Sequence, residues 1–198
     1  MKKVGIYGGT FSPPHLGHVG ALNAFIKEVA LDEVLLIPDY LPPHKNIDGE
    51  ATIEHRLDMC RLAFGNIPSC EISELEIKRG GRSYTSVTLE ELSSPERELY
   101  FLMGTDMFLT LDEWYRPELI CRLATICLVR RECELDREIT LAEEKYIKDY
   151  SAKIIHIKSP VREISSSEIR RAIKSGDDTS ELLSPEVSEY IRNKRLYQ

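Results

Sequence analysis

The 198-residue chain lacks any apolar run long enough to span a bilayer, and Met-Lys-Lys-Val-Gly-Ile-Tyr at its start is too short for a signal-peptide core. A cytoplasmic protein without a membrane partner is therefore expected. It also lacks a C-x-x-C pair, since the cysteines stand at 60, 70, 121, 127 and 133. An odd number so spaced suits reduced, mostly buried thiols. Positive charge is scarce: the net charge of -7 disfavours broad nucleic-acid binding, which needs a basic surface. Phosphate binding must then rest on local groups such as Lys45, Arg130-Arg131 and the late cluster Arg162, Arg170, Arg171 and Lys174. Neither G-x-G-x-x-G nor a Walker A loop is present. No Ser-His-Asp or Cys-His constellation offers an enzyme nucleophile.

What the chain does have is concentrated between Gly5 and His18. Lys3 to Tyr7 reads as a strand, ended by Gly8-Gly9 because paired glycines tolerate the positive φ of a sharp turn. The spacing of Val19, Leu22, Ile26 and Val29 predicts a helix entered around Leu16 to His18. Its N-terminus is an anion site, where unpaired N–H groups and the dipole face a phosphate. His15 and His18 stand one turn apart there, able to donate to phosphate oxygens. A metal pair would need a third ligand that this segment lacks. An isolated His pair is more often a cap or core feature, but the neighbouring glycine turn shifts the balance toward a ligand.

Strand and helix signals alternate along the rest of the chain. Glu33 to Ile37 is an unbroken apolar strand suited to a parallel sheet. Pro38 to Lys45 follows as a proline-stiffened loop whose His44-Lys45 tip could reach a phosphate or simply connect. Thr52 caps a helix with Ile53, Leu57, Cys60 and Phe64 on one side, closed by Gly65 and read as scaffold. Cys70 to Ile77 is expected as a strand turned by Gly80-Gly81. Thr85 and Ser86 open a helix running to Leu92, as caps or as ligand donors. Leu99 to Met103 is a strand emptying into Gly104-Thr105-Asp106, where an acid can bind ribose hydroxyls. Trp114, the single tryptophan, stands beside Tyr115 and is a core residue or an aromatic platform. Ala124 to Val129 forms a further strand, followed by a helix from about Leu135 to Tyr150 with Ile139, Tyr146, Ile147 and Tyr150 buried. Ile154 to Ile157 is the last strand, with His156 structural, and Ser165-x-x-Glu168 has capping-box spacing ahead of a helix closed by Gly176. Ser184-Pro185-Glu186 opens a final helix. The pattern predicts one α/β domain over 1–198, a doubly wound parallel sheet with a small helical C-terminal region over about 160–198.

Several of these segments carry a resemblance. Gly8-Gly9-Thr10-Phe11 with His15-Leu16-Gly17-His18 resembles the signature of the nucleotidylyltransferase superfamily, whose (His/Thr)-x-Gly-His motif holds nucleoside triphosphate phosphates. Pro38-x-x-x-Pro42-Pro43-His44-Lys45, Ser83-Tyr84-Thr85-x-x-Thr88-Leu89, Gly104-x-Asp106 through Trp114, and Ile164-Ser165-Ser166-Ser167-x-Ile169-Arg170 are similar to further motifs of that superfamily and of its pyridine-nucleotide branch. The last departs from the usual pattern in Ser167, which replaces a threonine and keeps the hydroxyl. With all five in family order, the chain is identified as a member of the bacterial-type nicotinate-nucleotide adenylyltransferases.

The resemblance implies a Rossmann-like nucleotidylyltransferase fold and direct adenylyl transfer from ATP to nicotinate mononucleotide, with Mg²⁺ carried on the ATP phosphates and no tightly bound cofactor. It implies His15 and His18 as catalytic residues. Gly8, Gly9, Thr10, Phe11, Gly104, Asp106, Ile164, Ser165, Ser166 and Arg170 join them around ATP. It places Thr85, Ser86, Trp114 and Tyr115 around the nicotinate ring, with His44, Lys45 and Arg131 near its nucleotide phosphate. It leaves open a homo-oligomer, an acceptor such as nicotinamide mononucleotide or phosphopantetheine, and a non-catalytic nucleotide sensor. A dinucleotide-dependent oxidoreductase is disfavoured by the missing G-x-G-x-x-G.

Overall fold

Short apolar runs bounded by turn residues become parallel strands, and the amphipathic stretches between them become the covering helices. The computed structural model describes residues 1–42, 51–129 and 136–198. In chain order these form β1 (Lys2–Gly9), α1 (Leu16–Val29), β2 (Glu33–Pro38), α2 (Ile53–Phe64), β3 (Cys70–Ile72), α3 (Leu75–Arg79), α4 (Thr85–Leu92) and β4 (Arg97–Gly104). There follow α5 (Thr105–Leu109), α6 (Pro117–Leu123), β5 (Ala124–Val129), α7 (Asp136–Tyr150), β6 (Ile154–Ile157), α8 (Ser166–Ser175) and α9 (Pro185–Lys194). The sheet order is β3-β2-β1-β4-β5-β6, with every pairing parallel. The order reverses between β1 and β4, so the carboxyl ends of these two strands flank the crevice where such sheets bind ligands.

Alternation along each strand divides the core between two faces. Val4, Ile6, Leu35, Ile37, Phe101 and Ile126 pack with Leu89 of α4, Phe108 of α5, Ile120 of α6 and Ile139 and Tyr146 of α7. On the other face Val34, Leu36, Tyr100, Leu102 and Cys127 meet Leu22 and Phe25 of α1 and Cys60 and Phe64 of α2. A third cluster joins Met59 of α2 to Ile169, Leu183, Val187 and Ile191, docking the C-terminal helices. No helix among the described residues is long and apolar enough to cross a membrane.

The structure corrects four local expectations. The strand expected over Cys70 to Ile77 stops at Ile72, and Leu75–Arg79 is helical. Charge pairs at helical spacing explain the switch, with Glu74 at 3.9 Å from Lys78 and Glu76 at 3.7 Å from Arg79. Gly8 and Gly9 do not end β1 in a positive-φ turn. The strand runs through both, and the left-handed residue is Phe11 at φ 48°. What Gly9 supplies is clearance, since a Cβ there would lie 3.1 Å from the Phe11 ring. Ile147 is 54% exposed, because it sits about 100° around α7 from the buried Tyr146. Ser165 does precede α8, but its side chain makes no capping bond, so the expected capping box is not formed. The hydroxyls that follow it are used elsewhere.

Candidate active site

The β1–α1 loop is held in one shape by its own histidines. His15 is the N-cap of α1: its Nδ1 accepts the His18 N–H, and the Nδ1 of His18 accepts the His15 N–H, both at 3.3 Å. The rings stack with centroids 3.6 Å apart. An acceptor Nδ1 leaves the neutral ring's proton on Nε2, so each imidazole is fixed as an Nε2–H donor. Capping, one of the alternatives open on sequence alone, thus uses the Nδ1 of each ring. Gly17 makes the turn sterically possible, since a Cβ would fall 2.7 Å from the Arg162 carbonyl and 3.1 Å from His15 Nδ1. The helix start offers less backbone than expected: the Leu16 N–H donates to the Leu182 carbonyl, and that of His18 is spent on His15.

Phe11 holds a left-handed backbone that costs a non-glycine residue about 1–3 kcal/mol. Its ring lies edge-on to Tyr7, His18 and Phe64, at 5.4, 5.1 and 5.8 Å. Beneath the loop, Arg56 of α2 is only 1% exposed and bonds the Thr10 carbonyl and Asp39. From above, Ser166 Oγ donates to the Pro13 carbonyl at 2.9 Å and Arg170 Nη1 to that of Ser12 at 2.7 Å, while the Tyr197 hydroxyl lies 3.0 Å from Ser12 Oγ. Ser167, the residue that departs from the family motif, accepts from Arg170 Nη2. Ile164 packs against the third cluster.

Across the crevice, Gly104 caps α5, with Thr105 buried and Asp106 exposed in its first turn. Beyond it an open cleft of about 540 Å³ is lined by Arg82, Tyr84, Glu113, Trp114, Tyr115 and residues 116–118. Trp114 is half-buried, edge-to-face with Phe101 at 6.4 Å, and so is both a wall of this cleft and a fringe of the core. Tyr115 is exposed and lies 4.6 Å from the ring of Tyr84. Thr85 and Ser86 follow Tyr84 as the first residues of α4. Ser86 is fully enclosed, and its hydroxyl has no hydrogen-bond partner among the described residues. The side-chain contact expected of it is thus not available from the cleft in this arrangement, whereas Thr85 is half-buried. His44, Lys45 and Arg131 lie outside the described residues.

Sequence reasoning passed over Arg56, Asp39 and Tyr197. A signal for Arg56 existed: it falls at the spacing of Ile53, Leu57 and Cys60, a charge on the apolar side of α2. No nucleophile emerges among the described residues. Burial pushes the thiols of Cys70 and Cys121 up to about 11 and that of Cys127 to about 12, with Cys60 also raised.

A cytidylyltransferase-like family model matches residues 6–172. A "Probable nicotinate-nucleotide adenylyltransferase" of Caldicellulosiruptor saccharolyticus is 37% identical over 197 residues, covering 99% of both chains. Its namesake from Carboxydothermus hydrogenoformans is 38% identical over 199 residues, covering 99% of this chain and 98% of its own. The fold also matches a Plasmodium falciparum nicotinic acid mononucleotide adenylyltransferase solved with NaAD, at a TM-score of 0.79 and 21% identity, over 100% of this chain and 98% of that one.

Proposed function

The chain belongs to the nicotinate-nucleotide adenylyltransferase family, and on that premise we propose that it joins the adenylyl group of ATP to nicotinate mononucleotide, forming deamido-NAD and pyrophosphate in NAD biosynthesis. The observation that carries the reading is the His15/His18 pair, two Nε2–H donors fixed beside the crevice where the sheet order reverses.

A phosphate oxygen of nicotinate mononucleotide attacks the α-phosphorus of ATP. The bond from that phosphorus to the β-phosphate oxygen breaks, and pyrophosphate leaves with the electron pair. The substrate supplies its own nucleophile, so the protein's work is positioning and charge stabilisation. His15 and His18 donate to the triphosphate as charge builds on the leaving group. Thr10 and Phe11 sit by the α-phosphate, where Gly8 and Gly9 keep the strand end bare. Ser166 and Arg170 hold the distal phosphates from the turn after Ile164 and Ser165, and Gly104 and Asp106 meet the ribose. Trp114 and Tyr115 flank the pyridine ring, with Thr85 and the start of α4 near its carboxylate.

Mg²⁺ is assigned to the phosphate oxygens rather than to side chains. Imidazole Nε2–H groups and a guanidinium present hydrogens to an anion and no lone pair to a cation. Bound on the nucleotide, the ion neutralises charge on the pyrophosphate.

The test is pyrophosphate release from Mg·ATP with nicotinate mononucleotide and, separately, nicotinamide mononucleotide, with the product's mass confirmed. Strong preference for the acid supports the assignment. Preference for the amide reassigns the acceptor, and no release with either removes the reaction.

A further inference from the structure

Arg56 heads the fully buried side chains among the described residues by volume and stands in a helix whose other inward residues are apolar. A guanidinium cannot shed its charge, so burial demands a full set of acceptors. It has them. Nη1 donates to the Thr10 carbonyl at 2.8 Å and to Asp39 Oδ1 at 3.1 Å, and Nη2 donates to the Asp39 carbonyl at 2.7 Å. Asp39 Oδ2 in turn accepts from Thr10 Oγ1 at 2.8 Å, and its N–H donates to the Gly9 carbonyl at 3.0 Å. The ends of β1 and β2 are thereby fastened to α2 through one residue.

We propose that Arg56 is a positioning residue for the adenylyl transfer, acting through the Thr10–Phe11 peptide; this rests on the reaction assigned above. The peptide is planar and trans, so drawing the Thr10 carbonyl toward Arg56 aims the Phe11 N–H the opposite way. The same bond holds Phe11 at its left-handed φ of 48°, and the Phe11 ring stands edge-on to His18 at 5.1 Å. The chain of contact runs from the Arg56 fork to the Thr10 carbonyl, to the Phe11 backbone and ring, and on to the catalytic imidazole. Asp39 offsets the charge, which leaves the geometry of the fork as the device. A lysine keeps the charge but cannot span both carbonyls and the carboxylate.

Two variants test this: Arg56→Lys, which retains the ion pair and hence the fold, and Arg56→Met with Asp39→Asn, which removes both charges together. Each is assayed at a temperature well below its melting point. The expected result is a fall in turnover of between about tenfold and a hundredfold, the size of effect that misplaced reacting groups produce. KM for nicotinate mononucleotide should stay within about twofold, and affinity for α,β-methylene-ATP, measured by calorimetry, should fall about tenfold. A purely structural Arg56 would lower the melting temperature and move none of these. Wild-type turnover and wild-type analogue affinity in the lysine variant overturn the proposal. The analogue measurement does not involve the acceptor, so it decides the matter even if wild-type protein fails to use nicotinate mononucleotide.

Discussion

In the proposed reaction His15 and His18 each do two jobs with two nitrogens: Nδ1 closes the capping box of α1, and Nε2–H donates to the triphosphate. His18→Ala removes both at once, and the losses are separable. Turnover should fall about a hundredfold, the typical worth of one electrostatic donor. Stability should fall by only about 0.5–2 kcal/mol, the worth of a cap. Unchanged turnover in the folded variant would take His18 out of the mechanism. Glu76 offers a second residue-level test. It is buried, accepts a 2.5 Å hydrogen bond from Thr88, and has its carboxyl pushed above the ordinary 4.5, first of all by desolvation. The folded state therefore holds the proton more tightly than the unfolded one, and this contribution is full below 4.5 and lost as pH rises through the folded value. Glu76→Gln never ionises. Its melting temperature should gain on wild type in thermal melts as pH rises from below 4.5 through the folded value. A constant difference across that range would mean Glu76 does not titrate there.

Strands and helix starts were legible because each is written in adjacent residues. The runs Val34-Leu35-Leu36-Ile37 and Ala124 to Val129 form β2 and β5, and Thr52, Gly65, Gly176 and Ser184 cap where they should. The resemblance, rather than periodicity, supplied the roles of His15, Trp114 and Arg170. What adjacency hides is a partner distant in sequence. Glu76 reads as the polar face of a strand until Thr88 is seen beside it, and Ser165-x-x-Glu168 reads as a capping box although it is Ser166 that finds a partner, in Pro13. The segment from α5 to α6 shows the same ambiguity in Trp114, which borders the cleft with one part and Phe101 with another. Trp114→Ala should raise KM for the pyridine nucleotide more than it lowers turnover, because a stacking platform binds ground state and transition state alike. A stability loss of about 3–5 kcal/mol with KM unchanged would instead make it a core residue.

At the scale of the whole chain, the sheet supplies the floor of the crevice and the C-terminal helices hold down the β1–α1 loop beside it. Ser166, Arg170 and Tyr197 reach Pro13 and Ser12 from residues more than a hundred positions away in sequence. Their placement depends on the third cluster, in which Leu183, 2% exposed, packs with Ile169, Val187 and Ile191 against Met59. Because α2 carries both Met59 and Arg56, the helix that anchors the C-terminal clasp also holds the loop from beneath. Leu183→Ala touches no ligand. It should cost about 2–5 kcal/mol of packing where the C-terminal helices dock. If those helices hold the loop, they should open before the sheet does, and limited proteolysis should then cut within 160–198 while the sheet persists. KM for ATP should rise in step with that cutting, and KM for nicotinate mononucleotide, whose proposed cleft borders α4 and α6, should not. An unchanged KM for ATP in a variant already cut there would show that the phosphate loop keeps its shape without the clasp, leaving Arg56 and the histidine cap to hold it alone.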